Sequence, residues 1–396
     1  MDVVTLGMAK ADSRRRYAPR PQTMVVLGDS LTEQGGEIAA NPDTRSFAAW
    51  PWANVLLGQA FTVLANLGIG GETTTQIRAR VADALALKPG WVILTAGTNN
   101  MGAAGGVDTA KTDITAMLDT FEAAGIRVVL PTLPPRLSAN YTGTIKADTF
   151  ALNEWIRAQG RTRPGLIVPD YFTGLAAGVD GNFAASLYGF NPTSDGIHLS
   201  ATGGYQAGLI LANAIRPYVT PAVPFSLPNP GSNLLANPRP AGNGASAPTS
   251  WSVGTATWSD VARSDGLGSW KQAVLGTGTF NMNTNATVDG TRLAVGDVVN
   301  GVIEFDVSGM DQAAAVDAQG IAVSLRAWNG TAYTTPYIYA FNYFRGPNVP
   351  RTGVIRTPNF TVPAGTTLVS LFVELRGSMT FKFDRAGIYN RKTYPV

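Results

Sequence analysis

Two different spacings of apolar residues divide the chain. Up to about residue 218, short apolar runs alternate with stretches in which apolar residues recur at helical spacing. The runs at 24–28, 61–66, 91–96, 126–131 and 165–168 are bounded by turn residues and read as buried strands. Segments 46–59, 73–86, 108–124, 146–159 and 200–216 read as helices. In 108–124, Ala110, Ile114, Met117, Leu118 and Phe121 share one face, and Gly125 follows as a stop signal. Strand and helix in alternation predict an α/β fold, a parallel sheet covered on both faces.

Beyond residue 232 the period changes to two. Val302 to Val307, Ile321 to Leu325, Leu368 to Leu375 and Met379 to Phe383 alternate in this way, separated by Gly, Asn and Pro, with no helical stretch among them. That grammar predicts an antiparallel β-sandwich. Between the two halves, Pro221, Pro224, Pro228, Pro230 and Gly231 preclude a regular element and read as a semi-rigid spacer. The expected organisation is an N-terminal arm (1–21), an α/β domain (22–218), a linker (219–232) and a sandwich (233–396).

Composition narrows the chemistry. Charged residues are only 14 % of the 396-residue chain and hydrophobic residues 45 %, a profile of packed domains and not of disorder. The formal net charge is +3, and Arg14-Arg15-Arg16 is the one basic cluster, so no nucleic-acid footprint is expected. With no cysteine, disulfides, thiolate metal sites and cysteine nucleophiles are excluded. No run approaches the roughly 18 apolar residues of a membrane span. Residues 1–21 lack the apolar core of a secretory signal, so action outside a cell would need another exit or a leader not present here.

The apolar run Met24 to Leu27 stops at Gly28 and delivers Ser30 at the carboxyl end of a strand, where open α/β sheets place their ligands. Serine is a poor nucleophile without a base. The chain has one histidine, His198, within Asp195-Gly196-Ile197-His198. Two further blocks follow predicted strands: Asn66-Leu67-Gly68-Ile69-Gly70-Gly71-Glu72-Thr73 and Gly97-Thr98-Asn99-Asn100. Glycine N–H groups and an asparagine amide are donors of the kind an oxyanion needs. Taken singly, each block has a plain structural explanation: a serine after a strand is usually a helix cap. No Lys-Ser/Thr follows the glycine loop, so it is not a P-loop, and no G-x-S-x-G elbow surrounds Ser30. Asp29 and Glu33 read as loop and cap residues, and one histidine without cysteine gives a metal little to bind.

In these four ordered blocks the chain resembles the SGNH, or GDSL-type, serine hydrolases over residues 22–218. The resemblance implies a flavodoxin-like three-layer sheet and an esterase without cofactor or metal. It implies Ser30 as nucleophile, His198 as base and Asp195 as the residue orienting it. It further implies an oxyanion hole of the Ser30 N–H, the Gly71 N–H and the Asn99 amide, with Gly70 or Gly68 in place of Gly71 if the loop register differs. Asn100 departs from the family, which often has Asp there; its amide is expected to hydrogen-bond the loop around Ser30. More weakly, the segment Leu6 to Asp12 with the basic stretch after it is similar to leaders of phage tail-associated proteins. The sandwich ends, Asn233 to Pro238 and Phe383 to Tyr389, are similar to those of jelly-roll carbohydrate-binding modules. Trp251, Trp258, Trp270, Trp328, Tyr333, Tyr337 and Tyr339 are then candidates to stack on sugars. Together these likenesses imply an acylated carbohydrate as partner, O-acetyl groups of a bacterial polysaccharide as substrate, virion tail components as further partners, and an extracellular or virion-associated place. They leave open a homo-oligomer, a lipase or general carboxylesterase, and a non-enzymatic virion adhesion protein.

Overall fold

The structure, a computed structural model, describes residues 20–33, 48–58, 60–177, 182–183, 193, 195–220, 232–310, 320–343, 352–357 and 359–393. Almost all of the expected N-terminal arm and most of the linker lie outside them, as do the side chains of Tyr337 and Tyr339. Two compact units emerge, one containing residues 20–33, 48–53 and 63–220, the other 54–58, 60–62 and 232–393.

The first unit is built on strands β1 (Thr23–Gly28), β2 (Thr62–Gly68), β3 (Trp91–Thr95) and β4 (Arg127–Val129), in the order β2-β1-β3-β4. β1 and β3 pair in parallel from Met24↔Trp91 to Gly28↔Thr95, and β3 pairs in parallel with β4. The helices are α1 (Ser30–Glu33), α2 (Ala49–Leu56), α3 (Thr74–Ala79), α4 (Val81–Ala86), α5 (Gly106–Ala123), α6 (Ile145–Thr162), α7 (Tyr171–Leu175) and α8 (Ala201–Ile215). Strands buried on both faces explain the unbroken apolar runs. Val25, Leu27, Val92 and Leu94 share a core with Ile77 of α3, the Ile114, Met117, Leu118 and Phe121 face of α5, and Leu152 and Ile156 of α6. The order reverses beside β1, which puts Ser30 at the switch point where such sheets bind ligands.

Two expected elements come out differently. The run at 165–168 forms a single parallel bridge, Val129↔Ile167, and no strand. Ile167 exchanges hydrogen bonds with Val128 and Leu130, but Pro169 follows two residues later and has no N–H to continue the ladder. The helix expected over 73–86 is split into α3 and α4 at Arg80, whose backbone leaves the helical region (φ −103°, ψ 9°). A short antiparallel pair, β5 (Ala176–Ala177) with β6 (Asn182–Phe183), precedes the His198 loop.

From residue 232 onward the second unit has no helix among its described residues. Its strands are β7 (Ser252–Val253), β8 (Thr257–Ala262), β9 (Ser269–Leu275), β10 (Thr279–Thr287), β11 (Val298–Ser308), β12 (Gly320–Trp328), β13 (Tyr333–Tyr343), β14 (Thr352–Arg356), β15 (Phe360–Thr361), β16 (Leu368–Arg376) and β17 (Met379–Asn390). They form two antiparallel sheets, β13-β12-β16-β10-β7 and β14-β11-β17-β9-β8, with β15 on β11. Burial alternates along β10, where Phe280, Met282, Thr284 and Ala286 point inward, as period-two patterning requires. Trp258 of one sheet meets Phe280 of the other, ring centroids 6.0 Å apart. The two ends of this unit run together: Asn233 bridges Tyr389, and the Leu234 N–H donates to the Ile388 carbonyl at 2.9 Å. Of the expected sugar-stacking aromatics, Trp251 and Trp258 are core residues packed on Phe383. Trp270 lies under the Arg263 guanidinium, and Trp328 packs edge-on against Tyr333.

Candidate active site

Four loops at the carboxyl ends of the strands build the site. The first turns sharply from β1 into α1. A Cβ on Gly28 would lie 2.3 Å from the Thr95 carbonyl oxygen, so only glycine lets the turn form against β3. Asp29 is fully buried and anchors the turn: its Oδ1 accepts from the Leu31 N–H at 3.0 Å, its carbonyl from the N–H groups of Thr32 and Glu33. Burial pushes the Asp29 carboxyl up to about 7, against the pull of the Leu31 N–H, of its own N–H and of Arg136. Among the described residues nothing donates to its Oδ2. The turn thus presents Ser30, 7 % exposed, at the mouth of a cleft.

The second loop follows β2. The Ile69 N–H donates to the Gly28 carbonyl at 3.0 Å, tying it to the first loop. Arg80 reinforces the tie: Nη1 donates to the Leu67 carbonyl (2.7 Å), Nη2 to the Gly28 carbonyl (3.3 Å) and Nε to the Glu72 carboxylate (3.0 and 3.1 Å). This anchoring also accounts for the helix break at Arg80. Gly68 is committed elsewhere, its N–H donating to Asn66 Oδ1 at 3.0 Å. The N–H groups of Ser30, Gly70 and Gly71 have no acceptor among the described residues, and all three residues line the cleft. Gly71 sits at φ +80°, a conformation that glycine adopts without strain.

The third loop carries Asn99, which also lines the cleft; its Nδ2 donates one hydrogen to the Glu72 carbonyl at 2.9 Å and retains a second. Asn100 does not bond the Ser30 loop as expected. Its Oδ1 accepts from the Thr74 N–H (2.9 Å) and its Nδ2 donates to Thr74 Oγ1 (3.1 Å), fixing the start of α3 behind the glycine loop.

The fourth loop holds the histidine. Thr193 Oγ1 donates to the His198 carbonyl at 2.6 Å and accepts from the Gly196 N–H at 2.8 Å, while the Leu137 N–H donates to the Gly196 carbonyl. Asp195 Oδ1 accepts from the N–H groups of Ile197 (3.0 Å) and His198 (2.9 Å). Its Oδ2 lies 2.7 Å from His198 Nδ1, and His198 Nε2 lies 2.8 Å from Ser30 Oγ. Burial pulls the Asp195 carboxyl upward, but hydrogen bonds from the His198 ring and the two N–H groups outweigh it and leave it below its ordinary value. An ionised carboxylate only accepts, which assigns the proton to Nδ1 and leaves Nε2 to accept from the serine hydroxyl.

Ser30, His198, Gly70, Gly71 and Asn99 thus line one cleft of about 420 Å³, with Asp195 behind the imidazole. Two residues escaped the sequence reading. Asp29 is a buried acid at the turn and more than a loop residue. Arg136, in the loop after β4, also lines the cleft; its one sequence signal is a lone arginine closing Pro134-Pro135-Arg136 beyond a strand. Among the described residues no cluster of His, Cys, Asp and Glu could hold a metal ion, and no helix is long and apolar enough to cross a membrane.

Comparison with known proteins agrees with the motif reading. The family model described as GDSL-like Lipase/Acylhydrolase matches residues 26–206. A lipolytic protein of the G-D-S-L family from Desulfitobacterium hafniense is similar in structure at 25 % identity, covering 49 % of this chain and 99 % of its own, with a TM-score of 0.38. A lipase/acylhydrolase from Enterococcus faecalis is similar at 21 % identity, covering 51 % and 100 %, with a TM-score of 0.40. An acetyl xylan esterase, AlAXEase, is similar at 17 % identity over 49 % and 99 %, with a TM-score of 0.37. No curated protein sequence matches the chain. Over residues 26–206 the chain is similar to the GDSL-like lipase/acylhydrolase family.

Proposed function

We propose that the chain is a serine esterase that removes short acyl groups, acetyl foremost, from a carbohydrate. The observation that carries this reading is the relay Ser30 Oγ to His198 Nε2 (2.8 Å) and His198 Nδ1 to Asp195 Oδ2 (2.7 Å). His198 takes the serine proton as Oγ attacks the ester carbonyl, and Asp195 stabilises the imidazolium that forms. The negative charge reaching the carbonyl oxygen meets the N–H groups of Ser30 and Gly71 and the Asn99 amide. Collapse of the tetrahedral intermediate transfers the imidazolium proton to the leaving alcohol and leaves an acyl-Ser30. Water, deprotonated by His198, then repeats the sequence and frees the acid. The cleft favours a short acyl group on a polar alcohol. Met101 and Ile197 are the apolar side chains lining it, against Ser30, Thr98, Asn99, Arg136 and His198.

The test pairs active-site labelling with a substrate panel. A fluorophosphonate should label the wild type at the Ser30 peptide and leave Ser30→Ala unlabelled. 4-Nitrophenyl acetate and an acetylated polysaccharide should be turned over, and 4-nitrophenyl palmitate should not. Labelling elsewhere, or preference for the long chain, overturns the reading.

A further inference from the structure

The buried arginine of the cleft lacks the counter-charge that its burial calls for. Arg136 is 8 % exposed. Its Nη2 donates to the Thr98 carbonyl (2.8 Å) and Thr98 Oγ1 (3.1 Å), both neutral, and its main-chain N–H donates to Tyr141 Oη (3.0 Å). Among the described residues, Nε and Nη1 donate to nothing and no carboxylate forms an ion pair with it. Four other arginines of low exposure carry a carboxylate, Arg80 with Glu72, Arg157 with Asp170, and Arg263 and Arg385 with Glu304, while the buried Arg127 lies over the Trp91 and Tyr218 rings. The acid that acts on Arg136 from a distance is Asp29, whose carboxyl burial pushes up to about 7, so it supplies a full negative charge only above neutrality.

A buried cation without a partner is costly, and the cost is recovered where a ligand brings the anion. Guanidinium suits that task, because its planar fork matches the oxygens of a carboxylate or phosphate. Arg136 lines the same cleft as Ser30 and His198, so the anion would arrive on the molecule being hydrolysed.

We infer that Arg136 binds an oxyanion of the substrate, so that the ester attacked at Ser30 carries an anionic group close to the scissile bond. The inference rests on the esterase reading above and narrows it. The oxyanion belongs either to the alcohol, as in an acetylated uronic acid, or to the acyl chain, as in a dicarboxylic monoester.

Two matched pairs separate these sources: O-acetyl glucuronate against O-acetyl glucose, and 4-nitrophenyl hydrogen glutarate against 4-nitrophenyl pentanoate. In one pair the wild type should favour the anionic member in kcat/KM by about ten- to a hundredfold, the range of a hydrogen bond to a charged group. Arg136→Gln should bring that ratio to about one, while Arg136→Lys, which keeps charge without the fork, should fall between. A ratio near one in both pairs, or a ratio that survives Arg136→Gln, overturns the inference. Calorimetry on the Ser30→Ala protein gives a readout free of turnover and of the Arg136 variants' folding. Glucuronate or glutarate should bind at least about tenfold more tightly than glucose or pentanoate, and equal affinities overturn the inference. Hydrolysis at Ser30 without charge preference would leave the esterase reading standing alone. Selective anion binding by a protein that hydrolyses none of the four esters would remove that reading and keep the Arg136 site.

Discussion

Asp195 holds His198 twice: one carboxylate oxygen receives the backbone N–H of His198, the other its ring Nδ1. Position and orientation of the imidazole therefore depend on the same side chain. Asp195→Asn can keep the backbone contact through its amide oxygen but loses the charge facing the ring and favours the wrong tautomer. We expect kcat to fall by about 10²–10⁴, less than in Ser30→Ala, with an unchanged circular-dichroism spectrum. Equal kcat in wild type and Asp195→Asn would remove Asp195 from the relay.

Asn99→Ala should lower kcat by about 10²–10³ with little change in KM, because the donor acts on charge that exists only in the transition state. Steady-state kinetics on one soluble ester checks it. A rise in KM at constant kcat would make Asn99 a substrate-binding residue.

Gly28 and Gly71 should respond differently to alanine. At Gly28 the new Cβ meets the Thr95 carbonyl oxygen at 2.3 Å, so β1 and β3 must separate and the protein should fail to fold or melt far below wild type. At Gly71 no atom lies within 4 Å of the new Cβ, and the cost is backbone strain alone, about 1–2 kcal/mol. Gly71→Ala should therefore fold, with its loss appearing in kcat as the N–H moves. Thermal melts and kinetics on the two variants separate the outcomes.

Asp29 gives stability a pH dependence of definite sign. Its folded-state carboxyl titrates near 7, above the roughly 3.9 of an unfolded aspartate. Between those values the folded state holds the extra proton, so stability falls as pH rises through that window and levels off above it. The contribution is at most about 4 kcal/mol. Asp29→Asn should flatten the fall of Tm between about pH 4 and 8. An identical slope in wild type and variant would show that Asp29 ionises at an ordinary value.

The residues gathered in the candidate site were legible because they are few and, for the serine, glycine and asparagine blocks, follow strands. One histidine left no other base for Ser30, and the glycine and asparagine blocks each close a strand whose apolar run is plain in the sequence. What failed to show was set by contacts distant in sequence. The break at Arg80 depends on its reach to Gly28 and Leu67, and the end of the sheet at Ile167 depends on Pro169 closing a ladder that its apolar neighbours would have continued. Asn100 was expected at the Ser30 loop, but Thr74 offers both a donor and an acceptor and takes both ends of its amide. Arg136 gave no sign of its burial, since a lone arginine after a proline pair says nothing of it. In the sandwich the alternating pattern announced strands but could not separate aromatic side chains that face inward, Trp251 and Trp258, from those that do not.

The bridge between Asn233 and Tyr389 means that the sandwich starts and stops at one point of its surface. A unit of that shape can be circularly permuted: a few residues joining 233 to 389 would close the old ends, and new ends could open in an exposed turn such as the one at Gly330. It can equally be lifted out of one polypeptide and inserted into a surface loop of another, because its host would need to open by no more than the width of a single strand pair. The sandwich is in this sense a cassette, entered and left at one point of its surface.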